Sequence, residues 1–191
     1  MKYTGRAAVV LVAMALIMGW SATSFAQEGS IGGQSESMER NGLGIHAGLF
    51  LADNDPMLGA EGRFTFDLSP DFGLTINPRA SYVFVSSEGD VSQQNLFFDV
   101  NALAMMNLDA VRPYAGAGLN VWFARFSLDG ESDSETEINP NLLVLGAEFI
   151  IDESMLGFAD LQLTRFSFSD PFFGSFSTTE ATLRAGINFG L

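Results

Sequence analysis

The stretch Glu180-Ala-Thr-Leu-Arg-Ala-Gly-Ile-Asn-Phe-Gly-Leu191 decides the fold. Ala181, Leu183, Ala185, Ile187, Phe189 and Leu191 alternate with Glu180, Thr182, Arg184, Gly186, Asn188 and Gly190, so one face is oily and the other small or polar. A repeat of two residues belongs to an extended strand, whose side chains point alternately to opposite sides, and to no helix.

The same repeat runs back through the chain. Leu43, Ile45, Ala47, Leu49 and Leu51 oppose Gly42, Gly44, His46, Gly48 and Phe50, and Leu58, Ala60, Gly62, Phe64, Phe66 and Leu68 oppose Gly59, Glu61, Arg63, Thr65 and Asp67. A third run sets Leu74, Ile76, Ala80, Tyr82 and Phe84 against Thr75, Asn77, Arg79 and Ser81, and a fourth sets Leu96, Phe98, Val100, Ala102, Ala104 and Met106 against Asp99 and Asn101. The fifth, Val111 to Leu128, puts Ala115, Ala117, Leu119, Val121 and Phe123 opposite Arg112, Tyr114, Gly116, Gly118, Asn120 and Trp122. The sixth has Leu143, Leu145, Ala147, Phe149 and Ile151 against Gly146 and Glu148, and the seventh has Ala159, Leu161 and Leu163 against Asp160, Gln162 and Thr164. Each core stretch is close to the roughly 9–11 residues that a tilted strand needs to cross a bilayer. Pro78 removes a ladder donor from the third run, and a bulge or register shift is expected there.

Connections alternate in length. Those around Ser69 to Asp71, Asn107 to Ala110 and Asp152 to Ser154 are short, whereas Ser86 to Gln94, Ser127 to Pro140 and Ser167 to Thr178 read as long loops. Ala52 to Pro56 is short and breaks the alternation. Short turns on the periplasmic side and longer loops outside are the arrangement of outer-membrane barrels.

Hydrophobic residues make up 47% of the chain although its formal net charge is −14. Beyond residue 26 no apolar run reaches the roughly 20 residues of a spanning helix. Dispersal at period two reconciles the two facts. Within the first 26 residues, Lys2 and Arg6 precede an apolar run from Ala7 to Trp20, and Ser24 and Ala26 frame a cleavage point. This is the pattern of an export signal peptide, too short to span a membrane. The mature chain then carries seven arginines against 23 acids, a formal charge of −16, which excludes a nucleic-acid partner. Residues 27–41, rich in Ser, Gly, Gln and Glu, read as a flexible periplasmic leader. There is no cysteine, hence no lipid anchor, disulfide or thiolate metal site.

A charge facing lipid near the midplane costs roughly 2–4 kcal/mol for Arg or Lys, so charges belong to the lumen phase. Glu61, Arg63, Arg79, Asp99, Arg112, Glu148, Asp160, Glu180 and Arg184 all have it; Arg125 and Arg165, at strand ends, have the lipid phase. Tyr82, Phe84, Phe98 and Phe123 fall at one lipid rim and Phe64, Phe66, Phe149 and Phe189 at the other, as two aromatic girdles require. A soluble ligand-binding barrel would place apolar residues inside and charges out, the reverse of this pattern.

Val111-Arg-Pro-Tyr-Ala-Gly-Ala-Gly-Leu119 resembles the strand after a periplasmic turn in small OmpA-like, OmpX-like and opacity-type porin-family barrels, and Arg184, Gly186, Phe189 and Leu191 resemble the C-terminal assembly signal of outer-membrane proteins, with Leu in place of the usual final aromatic. The resemblance covers residues 42–191. It implies an all-β, eight-stranded antiparallel up-and-down transmembrane β-barrel in the bacterial outer membrane, inserted by the barrel-assembly machinery. The chain is expected to end within its last strand, with no peptidoglycan-binding domain after it.

Three function classes follow: a structural or surface-interaction barrel, a narrow porin-like channel, and a lipid-modifying enzyme. An interior of about eight strands is just wide enough to be filled by side chains, so Glu61, Arg63, Arg79, Asp99, Arg112, Glu148, Glu180 and Arg184 are expected to form a salt-bridged plug rather than a pore lining. The lone histidine, His46, is expected to be a packed lumen residue, which leaves no catalytic residue, cofactor or metal ligand. The acidic run from Asp129 to Glu137 lacks the spacing of an EF-hand loop and reads as a solvated outer loop. Arg125 and Arg165 are candidate contacts for lipopolysaccharide phosphates, which guanidinium binds bidentately. Phe172, Phe173 and Phe176 are candidates for an adhesive or leaflet-dipping patch. The expected partners are outer-membrane lipid and lipopolysaccharide, and the expected state is a monomer.

Overall fold

The computed structural model describes residues 41–85, 91–108, 110–128, 131–170 and 174–190. The leader, the export signal and Leu191 lie outside the described residues. Eight strands follow one another: β1 Gly42–Phe50, β2 Asp55–Ser69, β3 Phe72–Val83, β4 Val91–Met106, β5 Val111–Leu128, β6 Glu131–Asp152, β7 Met155–Asp170 and β8 Gly174–Gly190. Each pairs antiparallel with its successor, and β1 closes on β8 to complete the barrel. Closure leaves no unpaired edge, which is what lets strands cross hydrocarbon.

Alternation sets the two faces. Leu43, Ile45, Leu58, Val100, Leu119 and Leu145 are exposed on the outside, while Arg63, Thr75, Asn77, Asn101 and Arg184 on the opposite phase are 0–1% exposed. The oily surface is therefore the exterior, as a lipid solvent demands. Phe64, Phe66 and Phe189 are exposed near one end and Phe84 and Phe98 near the other.

One end, here the turn end, carries the tight β2–β3, β4–β5 and β6–β7 connections. At the other, the hairpin end, the expected long loops are mostly ladder: β5 and β6 stay paired out to Leu128 opposite Glu131, and β7 and β8 out to Asp170 opposite Gly174. The acidic run from Glu131 to Glu137 is thus strand, not loop. Its acids alternate with Ser132, Ser134 and Thr136, and a polar alternation continues a two-stranded ribbon beyond the lipid without any apolar face to mark it. Residues 86–90, 129–130 and 171–173 lie outside the described residues. The β1–β2 turn at the same end is tight, with Asn54 at φ 58°, a left-handed conformation that asparagine tolerates.

The register does not shift at Pro78. Glu61 faces Arg79 and Phe64 faces Ile76 in one unbroken alignment, and only the two intervening pairs are missing from the ladder. Asn77 Nδ2 donates to the Gly62 carbonyl at 2.8 Å, supplying the donor that proline lacks. Within β2–β3 the alignment shifts only beside the turn, between Asp67 and Ser69, and a bulge inside the barrel wall falls in β6, where Leu142 and Leu143 both face outward and the alignment with both neighbours slips.

Candidate functional site

The interior is layered along the barrel axis. Its middle is ionic because the register puts opposite charges face to face: Glu61 opposite Arg79, Arg79 opposite Asp99, Arg112 opposite Glu148, and Asp160 opposite Arg184. Arg79 Nε lies 2.8 Å from Glu61 Oε2, and its other nitrogens grip the Asp160 carboxylate as a two-pronged pair. Arg184 Nη2 sits 3.2 Å from Asp99 Oδ2, and its Nη1 donates to Gln162 Oε1 at 2.6 Å. Arg63 Nε is 3.2 Å from Glu61 Oε1, and Arg63 also pairs with Glu148.

Four carboxylates, Glu61, Asp99, Glu148 and Asp160, thus share the buried interior with four guanidiniums, Arg63, Arg79, Arg112 and Arg184. The formal charges cancel. Buried ions survive when paired and hydrogen-bonded, and here amides and a phenol add hydrogen bonds to three of the carboxylates. Asp99 Oδ1 accepts from Asn120 at 3.0 Å, Asn141 at 2.9 Å and Gln162 at 3.0 Å. Asp160 accepts from the Tyr114 hydroxyl at 2.9 Å, and Glu61 from Asn188 at 2.8 Å.

Apolar side chains are packed among and beside these ions. Leu103, Met105, Tyr114 and Val144 form one cluster, and Arg112 and Glu148 stand nearer the turn end than Tyr114 and Val144 on the same two strands. The Phe158 ring lies beneath both Arg63 and Arg79, whose guanidinium carbons are 5.3 and 5.5 Å from its centroid, a stacking that suits the weakly hydrated guanidinium. Gly186 makes room for that ring: a Cβ there would come within 2.6 Å of Phe158. Towards the hairpin end, Phe50, Phe97, Trp122 and Phe166 pack with ring centroids 5.7–6.5 Å apart, above Met57 and Val83.

His46 has a hydroxyl within reach. Its Nε2 is 2.9 Å from Ser81 Oγ, and its Nδ1 is 4.0 Å from Glu61 Oε2. The order serine, histidine, carboxylate is that of a hydrolytic triad. All three side chains are nonetheless buried, at 2%, 3% and 4% exposure, and Glu61 is already engaged by Arg63, Arg79 and Asn188. Neither of the cavities at the two ends is lined by His46 or Ser81.

Those cavities differ in size. The turn end has one of about 10 Å³, no more than a water occupies. The hairpin end opens into one of about 180 Å³, floored by the aromatic layer.

Glu180, expected in the ionic cluster, is a correction. It has the inward phase but stands at the mouth, half-buried, lining the larger cavity and accepting from Thr178 Oγ1 at 3.0 Å. Phase gives the face of a strand and not the height along it. Asp160, by contrast, lies at the centre of the network. Arg125 and Arg165 are exposed on the outer face, and Arg165 Nη2 donates to Ser177 Oγ at 3.1 Å. Arg184, Gly186 and Phe189 lie in β8 against β1, with Arg184 held in the ionic layer. Phe172 and Phe173 fall outside the described residues, and Phe176 is 58% exposed. The inward Phe50–Phe97–Phe166 cluster is hidden in the sequence by its polar neighbours, and its one signal is that Phe97 stands two residues before Asp99 and shares its face. Among the described residues no group of histidines or acids is arranged to hold a metal ion.

A family model described as the outer membrane protein beta-barrel domain matches residues 8–189. No curated protein matches the sequence. Among solved structures, Ail, the attachment invasion locus protein of Yersinia pestis, is similar with a TM-score of 0.52 at 14% identity, over 78% of this chain and 93% of that one. The N-terminal beta-barrel domain of Pseudomonas aeruginosa OprF is similar with a TM-score of 0.52 at 16% identity, over 78% and 98% of the two chains. At such identities the likeness is one of fold.

Proposed function

This chain belongs to the outer membrane protein beta-barrel family, and from that premise we propose that it is a non-enzymatic barrel with a closed polar lumen, serving a structural or surface-interaction role. The observation that carries this reading is the neutral, cross-strand-paired ionic cluster packed among buried apolar side chains and covered by an aromatic layer on its hairpin side. A conducting pore needs a continuous wet path, and here each lumen arginine has a carboxylate beside it or opposite it in the ladder, and Arg63 and Arg79 stack on the Phe158 ring. The tight turns are assigned to the periplasm and the extended hairpins to the exterior, following the sidedness of such barrels. Residues 1–26 are assigned to export, and Arg184, Gly186, Phe189 and Leu191 to recognition by the assembly machinery. On the exposed outer face near the hairpin end, Arg125 and Arg165 are assigned to lipopolysaccharide phosphates.

Planar-bilayer recording of the purified protein tests the closed lumen. No persistent unitary steps are expected; steady single-channel conductance would overturn the reading. One observation favours a second reading, a lipid deacylase: the hydrogen bond between His46 and Ser81. Lipid hydrolysis by the purified protein that disappears in Ser81→Ala would establish it over the first.

A further inference from the structure

The cavity at the hairpin end has a chemistry unlike the rest of the lumen. Its floor is aromatic, made by Phe50, Phe97, Trp122 and Phe166 from four different strands. Trp122 Nε1 donates to Asn95 Oδ1 at 3.3 Å, which anchors the indole where it borders the opening. Three carboxylates, Asp53, Asp55 and Glu180, stand around this floor, and among the described residues no lysine, arginine or histidine lines the cavity. Farther out, Asp133, Glu135 and Glu137 continue the inward phase of β6 set by the buried Asn139 and Asn141. Glu137 and Glu135 face Trp122 and Ala124 across the β5–β6 ladder.

From these features we infer that the mouth of the barrel binds a small organic cation of the alkylammonium class. Aromatic faces attract a cation through the negative charge of the ring surface, and quaternary ammonium recognition by aromatic cages is the functional use of that attraction. The carboxylates supply the counter-charge, and the acidic ribbon above them raises the local concentration of cations. A volume of about 180 Å³ is more than tenfold the roughly 10–15 Å³ that a single water needs on the same measure. That is enough for a compact ammonium head and too little for a folded partner segment. An inorganic cation would be served by the oxygens alone; the aromatic floor selects for a weakly hydrated organic one. The site lies outside the ionic layer, so a conducting channel would defeat the closed-lumen reading and leave this inference standing.

Trp122 is a built-in reporter. The chain has two tryptophans and Trp20 lies in the segment assigned to export, so a protein prepared from residue 27 onward carries Trp122 as its sole indole. The detergent-folded protein is titrated with tetramethylammonium chloride, with sodium chloride at equal ionic strength and with tert-butanol, the neutral near-isostere. The expected result is a saturable change in Trp122 emission with tetramethylammonium alone. Neutralising the rim with Glu180→Gln and Asp53→Asn, folding being checked by heat-modifiable gel migration, should weaken half-saturation by about tenfold. An equal response to sodium chloride or to tert-butanol overturns the proposal, and so does unchanged binding in the folded double variant. The salt and alcohol titrations need no rim variant, so the outcome holds even where that variant does not fold.

Discussion

The midsection of the lumen and its mouth are built by the same strands a few residues apart, yet they treat charge in opposite ways. In the midsection four carboxylates meet four guanidiniums, all buried, and every strand boundary that carries an acid opposite a base lies there. At the mouth three carboxylates line an open cavity with no basic side chain among its described walls. The difference separates two jobs for inward charge. Paired charge in a buried interior fixes register and fills space, whereas acidic charge bordering an open cavity is within reach of a ligand.

The midsection should be the costlier to disturb. Arg79→Ala leaves Glu61 and Asp160 each short of a buried partner, and removing one partner of a buried pair costs about 3–5 kcal/mol because a bare charge remains. Urea unfolding of the detergent-folded protein, followed by loss of heat-modifiable migration, should show a midpoint lowered to match. A loss below about 1 kcal/mol would mean that water reaches the layer, and the contrast with the mouth would fail. The complementary variant, Arg112→Met with Glu148→Leu, removes both members of a facing pair and should fall much closer to the parent.

Tyr114→Phe probes the same layer more gently. It deletes only the hydroxyl that donates to Asp160 at 2.9 Å and keeps the ring beneath Arg63. Hydrogen bonds to charged groups are worth about 1.5–3 kcal/mol, and Arg79 and Arg184 still serve the carboxylate, so about 1.5 kcal/mol is expected in the same unfolding measurement. A null result would place the Asp160 carboxylate in contact with solvent.

The comparison also separates what could be read from the chain. Strand identity and facing are legible across the lipid-spanning stretches, because lipid outside and polar groups inside enforce a period of two on residues as different as Leu183 and Arg184. Pairing is not. That Asp160 meets Arg79, 81 positions away, depends on closure, on the tilt of the strands and on the slip at Leu142–Leu143, none of which a single strand announces. Depth was equally hidden. Glu180 and Arg184 share one face of β8, four residues apart, yet the first stands at a wet mouth and the second in the ionic layer. The extended hairpins were concealed for another reason: beyond the lipid a strand can be polar on both faces, so Glu131 to Glu137 carries the composition of a loop. The rings of Phe50, Phe97 and Phe166 escaped notice because an inward face was read as polar, although the lumen of a small barrel must be filled and rings fill it well.

The smallest effect is expected at the mouth, and it is the one that makes the distinction sharp. Glu180→Gln keeps size and shape, its carboxylate is half-buried beside an open cavity, and its hydrogen bond comes from Thr178 two residues away on the same strand. Surface substitutions free of buried partners stay within about 0.5 kcal/mol, and this one should do the same in urea, with no change in gel migration. Removing one like charge from a rim of three should leave the fold unchanged or slightly relieved, because nothing basic stands opposite it. If Glu180→Gln instead lost about 2 kcal/mol or more, the rim would be part of the barrel's internal charge balance. The difference between a closed middle and a receptive mouth would then collapse into one continuous network. A silent substitution in stability that nonetheless alters cation binding is the signature of a group placed for a ligand and not for the fold.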